Sequence, residues 1–590
     1  MTFTTRPELA GTFGMVSSTH WLPASAGMAV LERGGNAFDA VVAAGFVLQV
    51  VEPHQNGPGG DLPALFARAG DRRPTVLCAQ GPAPAAATVQ AFRDRGLDMV
   101  PGSGLLAAAI PGATVGWLTL LRDHGTMRLT DVISYAIGYA RNGYPLTPKL
   151  VEYIANVEQL FREHWRTSAD LYLPGSGLPK AGQVFRNPAL ADTYERLVEA
   201  EGAVGAGREA GIEAAIRSWS EGFVAAAMAK FATSAWRDSS GRDHAGLLTT
   251  DDLAGWRPTY EEPVSVEFAG HRVYKAGAWS QGPVLLQQLA LLQGIDVTPG
   301  SADYVHTVVE GAKLAFADRD AWYGDTSDVP LATLLSAGYA SERRALLGAE
   351  ASHSLRPGSP DGRTPRLPTF AAGEVAADGS IGEPNAAAPR ADGTARSDTV
   401  HVDVVDRWGN MVAAMPSGGW LHSSPVIPEL GFCLGTRLQM AWLDEGLPNT
   451  LAPGKRSRTT LSPTLVMRDD EPVLAFGSPG GDQQDQWQLG LLLHHLLGGA
   501  DLQAAIDAPA FHSVHFPSSF YPHEARPGVL LVEDRLGDDV IADLTARGHL
   551  IERAGDWSLG RLCAVARRPD NGTLHAAANP RGMQGYAVGR

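Results

Sequence analysis

The pattern of hydrophobic and polar positions changes its period close to residue 399. Before this point apolar residues recur at helical spacing, and 105–350 is largely helical by pattern, most clearly at 129–142 and 302–323. Residues 399–406 instead alternate polar and apolar side chains, which is typical of a β-strand. A turn and an apolar run to residue 415 complete a predicted hairpin. A second hairpin over 464–476 and a helix at 489–497 follow.

The N-terminal region combines predicted helices with a glycine-rich loop. Helices are predicted at 24–33 and 37–50, because two glycines separate these apolar segments and Asn36 can cap the second. The loop at 52–61 lacks the Lys-Ser/Thr pair of a phosphate-binding loop. We interpret it as a turn.

Residues 351–398 interrupt both patterns. They are rich in Pro, Gly, Ala and Ser and have little periodicity, which predicts an exposed, mobile linker. The β-pattern begins with Thr399 directly after this segment. A strand that starts abruptly at a threonine after a linker is the most informative feature of the sequence.

Composition limits the classes of function. The chain has 590 residues, of which 44% are hydrophobic and 19% charged, so it can bury a sizeable core. Its formal net charge of −16 predicts no nucleic-acid or membrane partner. Three cysteines are too few for a disulfide framework or a thiolate zinc site. The first residues lack the apolar core of a signal peptide, so we expect a cytoplasmic protein.

Thr399 suggests one specific chemistry. A threonine hydroxyl is a weak nucleophile, but the α-amine of a chain-terminal threonine can act as its base. This requires a cut between Asp398 and Thr399. The Thr399 hydroxyl would attack the preceding carbonyl, and an N→O shift with ester hydrolysis would free the amine. The alternative is that Thr399 merely opens a strand.

Other hydrolytic sites have weaker support. Four histidines cluster late in the chain, at 494, 495, 512 and 515, but a His-Glu-x-x-His helix is absent and adjacent histidines on a helix point in different directions. The Gly-x-Ser-x-Gly signature of serine hydrolases is absent as well. Residues 202–207 do not follow a strand and so fail the dinucleotide pattern. We therefore expect no metal and no cofactor.

Several motifs stand in a characteristic order along the chain. They include Gly34-Gly35-Asn36-Ala37, Gly57-Pro58-Gly59-Gly60, Asp398-Thr399-Val400-His401, Leu461-Ser462-Pro463-Thr464, Gly477-Ser478-Pro479-Gly480-Gly481, Ala508-Pro509-Ala510-Phe511-His512 and Asn579-Pro580-Arg581. Together they resemble the γ-glutamyltransferase (γ-glutamyltranspeptidase) family of N-terminal-nucleophile hydrolases. The resemblance implies an α+β fold, a four-layer αββα sandwich. It further implies a large subunit of residues 1–398 and a small subunit of 399–590, released by self-cleavage but sharing one core.

The resemblance assigns a catalytic set. Thr399 would be the nucleophile of both self-cleavage and catalysis, and Ser417 would supply a second hydroxyl that hydrogen-bonds to it. The backbone N–H groups of Gly480 and Gly481 would form the oxyanion hole, since glycine permits a close approach. The implied cycle needs no cofactor.

The resemblance also implies an altered substrate pocket. Thr459 and Thr460 occupy the place of a serine pair that holds the substrate carboxylate, and Gln80 replaces an arginine that pairs with it. A neutral amide cannot form that ion pair. Two residues that contact the substrate α-amine in the family align near Arg437 and Met440. We therefore do not expect glutathione to be the main substrate.

Three readings of function stay open at this point. The first is cleavage of a γ-glutamyl-like amide, with water or an amine such as an amino acid accepting the acyl group. The second is an acylase or amidohydrolase for a glutaryl, succinyl or oxamate type of acyl group, which Arg437 would attract unless it only pairs with Asp444 or Glu445. The third is a non-cleaving binding scaffold. A homo-oligomer is compatible with all three.

Overall fold

Two seven-stranded antiparallel sheets lie face to face, and helices cover both outer faces. The computed structural model describes residues 3–173, 175, 177–205, 207–295, 298–370 and 399–590. Its strands are β1 Leu9–Gly11, β2 Gly14–Ser18, β3 Leu62–Ala67, β4 Thr75–Ala79, β5 Tyr144–Pro145, β6 Val184–Phe185, β7 Trp236–Arg237, β8 Asp243–His244, β9 Thr259–Glu261, β10 Val264–Phe268, β11 His271–Lys275, β12 Val402–Asp406, β13 Met411–Ala414, β14 Thr464–Arg468, β15 Glu471–Gly477, β16 Phe511–Ser513, β17 Val529–Val532, β18 Leu550–Arg553, β19 Cys563–Arg567, β20 Leu574–Ala578 and β21 Tyr586–Gly589.

The strand order shows that both parts of the chain build both sheets. Sheet I has the order β1-β20-β19-β15-β14-β11-β10, and sheet II the order β21-β2-β12-β13-β3-β4-β9. In sheet II, β12 lies between β2 from the beginning of the chain and β13, its hairpin partner. The strand after the linker is therefore central in its sheet.

The helices form the two outer layers and an N-terminal extension. They are α1 Trp21–Glu32, α2 Ala37–Val51, α3 Val89–Arg93, α4 Ala113–His124, α5 Leu129–Asn142, α6 Pro148–Asn156, α7 Glu158–Glu163, α8 Arg166–Tyr172, α9 Pro188–Ala203, α10 Arg208–Ser220, α11 Phe223–Ala232, α12 Thr250–Ala254, α13 Pro283–Leu292, α14 Ala302–Trp322, α15 Leu331–Leu334, α16 Ala337–Arg344, α17 Gln484–Leu496, α18 Leu502–Asp507 and α19 Asp538–Ala546.

Side chains of β12 show how one strand serves two apolar layers. Val402 and Val404 point outward and join the core formed with α1, α2 and α4, whereas Val405 points inward and joins the core between the sheets. This follows from the period of two along a strand. A third core joins sheet I to α13, α14 and α17. The layers are thus helix, sheet, sheet, helix, as the resemblance implied.

The predicted elements are largely confirmed. The two early helices, the helix at 129–142 and both hairpins are present, although β12 begins only at Val402 and α17 begins five residues earlier than the predicted helix. The region 105–350 also contains β5 to β11, which the helical pattern did not indicate. These strands are short or lie near sheet edges, so their apolar period is weak.

The described part of the predicted linker, 351–370, follows an irregular path with one short 3₁₀ turn at Pro360–Gly362. It nevertheless contacts the helical layer, since the backbone N–H of Gly358 donates a 2.6 Å hydrogen bond to buried Asp318. The remainder of that prediction, including Asp398, falls outside the described residues. Among the helices described, none is long and apolar enough to cross a membrane.

Candidate active site

Thr399 lies at the edge of a three-segment backbone ladder. It forms a β-bridge with Ser417, and the two hydroxyl oxygens are 3.1 Å apart. On its other side, Ser417 exchanges backbone hydrogen bonds of 2.8 and 3.0 Å with Asp61. We call Thr399, Ser417 and Asp61 the threonine wall. Thr399 and Ser417 are each 1% exposed, so the hydroxyl pair is removed from bulk water.

Glycine allows the threonine wall to close. A Cβ atom on Gly60 would come within 2.0 Å of the Ser417 carbonyl oxygen. After Ser417 the chain turns through Gly418 and Gly419, whose φ angles of 75° and 64° favour glycine. The glycine-rich loop is therefore not merely a turn, because it lets the backbone beside Asp61 approach the Ser417 segment.

Gly480 and Gly481 form a second feature, which we call the glycine turn, between β15 and α17. Their φ angles are +130° and +57°, and a Cβ on Gly480 would meet the Trp487 ring at 2.1 Å. Neither backbone N–H donates a hydrogen bond to an acceptor among the described residues. Two adjacent N–H groups that have no acceptor among the described residues can donate hydrogen bonds to a developing oxyanion and stabilise it.

Buried charges fix the glycine turn to the helical layer. Asp482 accepts hydrogen bonds from Arg319 of α14 and from the backbone N–H of Ser519. Asp320 in turn pairs with Arg319 at 3.0 Å and with Arg458 at 3.1 Å. Burial raises the pKa of Asp320 and lowers the pKa of Arg458 to about 10. The turn is thereby tied to α14 by a charge network that excludes solvent.

A second buried pair lies at the start of α17. Lys275 of β11 and Asp485 of α17 are both fully buried with N–O distance 2.9 Å, and the Ser462 hydroxyl donates a 2.7 Å hydrogen bond to Asp485. Burial lowers the pKa of Lys275 and raises that of Asp485, and each charge opposes the shift of the other. This pair ties sheet I to the helix that follows the glycine turn.

The two threonines expected to contact substrate lie beside the glycine turn. The backbone of Thr459 bonds to Trp279 and to Gln281, whose side-chain amide reaches the carbonyl oxygens of Gly481 and Asp482 at 3.4 and 3.3 Å. Thr460 is buried, and its hydroxyl has no hydrogen-bond partner among the described residues. That hydroxyl can therefore serve a ligand.

Gln80 lies near the same segment. Its side-chain amide donates a 2.5 Å hydrogen bond to the Ser457 carbonyl, and its oxygen has no partner among the described residues. The amide thus fixes the chain that leads into Thr459. A role in direct contact with substrate stays a prediction.

Arg437 belongs to the threonine wall rather than to its sequence neighbours. Its guanidinium donates two hydrogen bonds, of 2.6 and 3.0 Å, to the buried Asp61 carboxylate, and it lies 5.5 Å from the centre of the Trp420 ring. Burial raises the pKa of Asp61, and the guanidinium opposes this rise. Asp444 and Glu445, the carboxylates considered from the sequence, do not pair with Arg437. Instead they contact Thr369 and Arg93.

The alternative metal site is not assembled. Within the ranges that the structure describes, no group of three or more His, Cys, Asp or Glu side chains is arranged to hold a metal ion. His512 packs edge-on against Trp487, and burial lowers its pKa to about 3. His515 accepts a hydrogen bond from the backbone of Gly528. The contacts of these two histidines are thus those of side chains that pack in the protein interior.

Sequence reasoning missed the groups that position the site. Asp61 was visible as the last residue of the glycine-rich loop, but its pairing with Arg437 spans most of the chain. Arg319 and Asp320 were visible as part of the charged run Asp318-Arg319-Asp320 in the predicted helix at 302–323, but nothing in the sequence assigned partners to them. Nothing in the sequence indicated that Lys275 forms a buried ion pair.

The fold is that of an N-terminal-nucleophile hydrolase. A cephalosporin acylase from Bacillus halodurans has this fold, with a TM-score of 0.82 and 28% identity over 100% of this chain and 97% of that chain. The sequence profile described as Gamma-glutamyltranspeptidase matches residues 23–589, so the chain belongs to the gamma-glutamyltranspeptidase family.

Two further relatives cover the whole chain. The solved structure of LmbA2991HD is 57% identical, with a TM-score of 0.94 and complete coverage of both chains. The glutathione hydrolase-like YwrD proenzyme of Bacillus subtilis (strain 168) is 30% identical over 592 residues, with 99% of each chain covered. The match therefore extends across both predicted subunits.

Proposed function

We propose that the chain cleaves itself between Asp398 and Thr399 and then acts as an amidase or acyltransferase through Thr399. In self-cleavage, the Thr399 hydroxyl attacks the Asp398 carbonyl carbon, the peptide C–N bond breaks, and an ester forms. Water hydrolyses this ester, which leaves a carboxylate on Asp398 and a free α-amine on Thr399. Residues 1–398 and 399–590 stay together because both contribute strands to both sheets.

In the catalytic cycle, the Thr399 α-amine takes the hydroxyl proton while the oxygen attacks a substrate amide carbonyl. The glycine turn donates two N–H groups to the oxyanion. The C–N bond then breaks, and the amine leaves with the proton held by the α-amine. Water or an amine acceptor finally attacks the acyl-Thr ester and regenerates the hydroxyl.

The observation that carries this proposal is the 3.1 Å contact between the Thr399 and Ser417 hydroxyls in a wall closed by glycine. A strand-opening threonine without function would not need a buried hydroxyl partner. Proenzyme relatives support self-cleavage. A cytoplasmic location stays a prediction from the sequence.

The Arg437–Asp61 pair directs our proposal for the acyl group. The pair presents one positive and one negative group beside Gly418, and a Cβ there would lie 3.3 Å from an Asp61 oxygen and 3.6 Å from Arg437. A zwitterionic head, as in a γ-glutamyl group, offers a carboxylate to Arg437 and an ammonium to Asp61. A plain dicarboxylate would instead compete with Asp61. We therefore place a γ-glutamyl-like amide first.

A comparison of γ-glutamyl and glutaryl p-nitroanilides tests this assignment. We expect the wild type to prefer the γ-glutamyl compound, and Asp61→Asn to shift the ratio of kcat/KM toward glutaryl by about tenfold, since Arg437 then carries an uncompensated charge. The ratio cancels effects on folding that are common to both substrates. Thr399→Ala controls for adventitious hydrolysis. A ratio unchanged by Asp61→Asn would refute the role of the pair.

An acylase for another acidic acyl group is the second candidate. It is favoured by Gln80, whose neutral amide cannot pair with an α-carboxylate, and by the similarity to a cephalosporin acylase. A wild type that prefers glutaryl anilide would select this candidate. A folded chain that stays uncut would instead select the binding scaffold.

A further inference from the structure

The segment that leads from Thr399 into β12 carries a buried His–Asp pair. Thr399, His401 and Asp403 alternate along the chain, so they lie on the same face, toward the space between the sheets. His401 Nε2 and Asp403 Oδ1 are 2.7 Å apart, and both side chains are fully buried. A charge-assisted pair within the apolar layer costs desolvation that two apolar residues would avoid. Such a pair calls for a functional explanation.

His401 reaches across to the other sheet at one point. A Cβ atom added to Gly477 would lie 2.4 Å from His401 Cε1 and 2.7 Å from Nδ1. Gly477 is the last residue of β15, three residues before Gly480. The imidazole therefore separates the Thr399 segment from the strand that leads into the glycine turn. Only a glycine permits this spacing.

The pair also fixes the orientation of the ring. Burial raises the pKa of Asp403 to about 6, and the neighbouring His401 opposes that rise. At an assay pH of 8 the carboxylate is ionised, so it accepts a hydrogen bond from Nε2–H. Nδ1 and Cε1 lie on the side of the ring that faces Gly477. Among the described residues Nδ1 has no hydrogen-bond partner.

The backbone of His401 is held equally firmly. Its carbonyl oxygen accepts hydrogen bonds from the Thr19 backbone, at 3.1 Å, and from the Ser18 hydroxyl, at 3.2 Å. On the sheet I side, Cys563 pairs with Gly477 in the ladder, and burial, followed by the charge of Asp403, raises the pKa of its thiol. Both the backbone and the imidazole ring of His401 are therefore held in place.

We propose that His401 and Asp403 form a positioning pair that sets the distance between Thr399 and the oxyanion donors of Gly480 and Gly481. The imidazole acts as a spacer between the two sheets, and the carboxylate holds the ring in one orientation. Neither side chain touches the substrate. This inference rests on the proposed function of Thr399. It adds the pair of side chains that aligns Thr399 with the oxyanion donors.

A double-mutant cycle between His401 and Gly477 tests the spacer directly. We expect Gly477→Ala to lower kcat at least tenfold, because its methyl group displaces the ring, and His401→Ala to lower kcat by a similar factor. The double variant should recover part of this loss, since the new methyl group enters the space of the missing ring. KM should change less than threefold throughout, because Arg437 and Asp61 are untouched. The substrate is whichever anilide the wild type hydrolyses.

Asp403 provides a conservative rescue. Asp403→Asn keeps an oxygen that can accept from Nε2–H and should retain kcat within about threefold, whereas Asp403→Leu lacks an acceptor and should lose about tenfold. The half-time of precursor self-cleavage gives a second, substrate-free readout of all variants. A general loss of stability would affect kcat and thermal midpoint together and would not distinguish Asn from Leu.

Two results would overturn the positioning role. One is unchanged kcat and self-cleavage in folded His401→Ala. The other is strict additivity in the cycle together with equal rates for the Asn and Leu variants. Failure of the proposed function looks different, because the wild type itself would then stay uncut or inactive. Thr399→Ala, uncut and inactive, gives the reference for that outcome.

Discussion

The threonine wall and the glycine turn are held in place by different forces. Backbone ladders and close glycine contacts hold most of the wall, with β12 packed on apolar helices α1 and α2, and the Arg437–Asp61 pair is its one ion pair described above. Buried ion pairs to β11 and α14 hold the turn. Backbone ladders fix a position without charge, whereas ion pairs fix it only while every partner is present. We therefore expect the two halves to respond differently to substitution.

The largest expected effect is on stability and concerns the ion pair that holds the glycine turn. Lys275→Met leaves Asp485 buried without its cation and should cost about 3–5 kcal/mol of unfolding free energy, or a fall of about 3 °C in thermal midpoint for a chain of this size. The measurement is calorimetry of the uncut Thr399→Ala protein with and without the change.

The double variant Lys275→Met/Asp485→Leu sharpens this test, because it removes both charges. It should recover most of the lost stability. Lys230→Met, which removes one partner of an exposed pair with Glu429, should leave the midpoint unchanged. Equal effects of Lys230→Met and Lys275→Met would contradict the proposed contrast.

Glu52, at the start of the glycine-rich loop, is a buried carboxyl without an ion-pair partner among the described residues. Burial raises the pKa of Glu52 from 4.5 to about 7, while a hydrogen bond from Thr19 and the more distant Arg561 oppose the rise. The protonated form is therefore favoured in the folded state. Its stabilisation is complete below pH 4.5 and is lost as the pH rises through about 7, by up to about 3 kcal/mol.

Glu52→Gln removes this titration. Relative to the parent, the variant should gain stability between pH 5 and pH 8, which thermal midpoints of both proteins at each pH will show. Both measurements use the Thr399→Ala background so that cleavage does not intervene. A difference between the proteins that is independent of pH would disprove the assignment.

A smaller effect on stability, but a clear one on activity, is expected from Gly60→Ala. Its methyl group would clash with the Ser417 and Gly418 backbone and should cost about 1–3 kcal/mol while displacing the threonine wall. The kcat for anilide hydrolysis should fall by about 10²-fold. Gly138→Ala in α5, where a Cβ meets no atom within 4 Å, is the matched control and should keep both stability and kcat.

The same contrast explains what the sequence could predict. The hairpin after residue 399 and the early helices follow from period and turn residues, which are local signals. The resemblance to the family identified Thr399, Ser417, Gly480 and Gly481 as candidates, and their catalytic roles stay predictions. The pairing of Arg437 with Asp61 could not be predicted, because it depends on how distant segments pack. The pairing of Lys275 with Asp485 could not be predicted for the same reason.

Gly477 and His401 show an intermediate case. Both belong to motifs that were visible in the sequence, but their mutual contact joins two sheets and requires three-dimensional packing. Local pattern identifies such residues as candidates and does not assign them a partner. The three-dimensional structure shows that Gly477 and His401 are neighbours.

The central claim is self-cleavage before Thr399, and intact mass spectrometry of the purified protein beside Thr399→Ala tests it most directly. Dividing 62.4 kDa in the proportion 398 to 192 residues predicts fragments of roughly 42 and 20 kDa, with Thr399 as the first residue of the smaller one. The variant should remain a single chain of 62.4 kDa. A folded wild type that also remains a single chain would contradict the account.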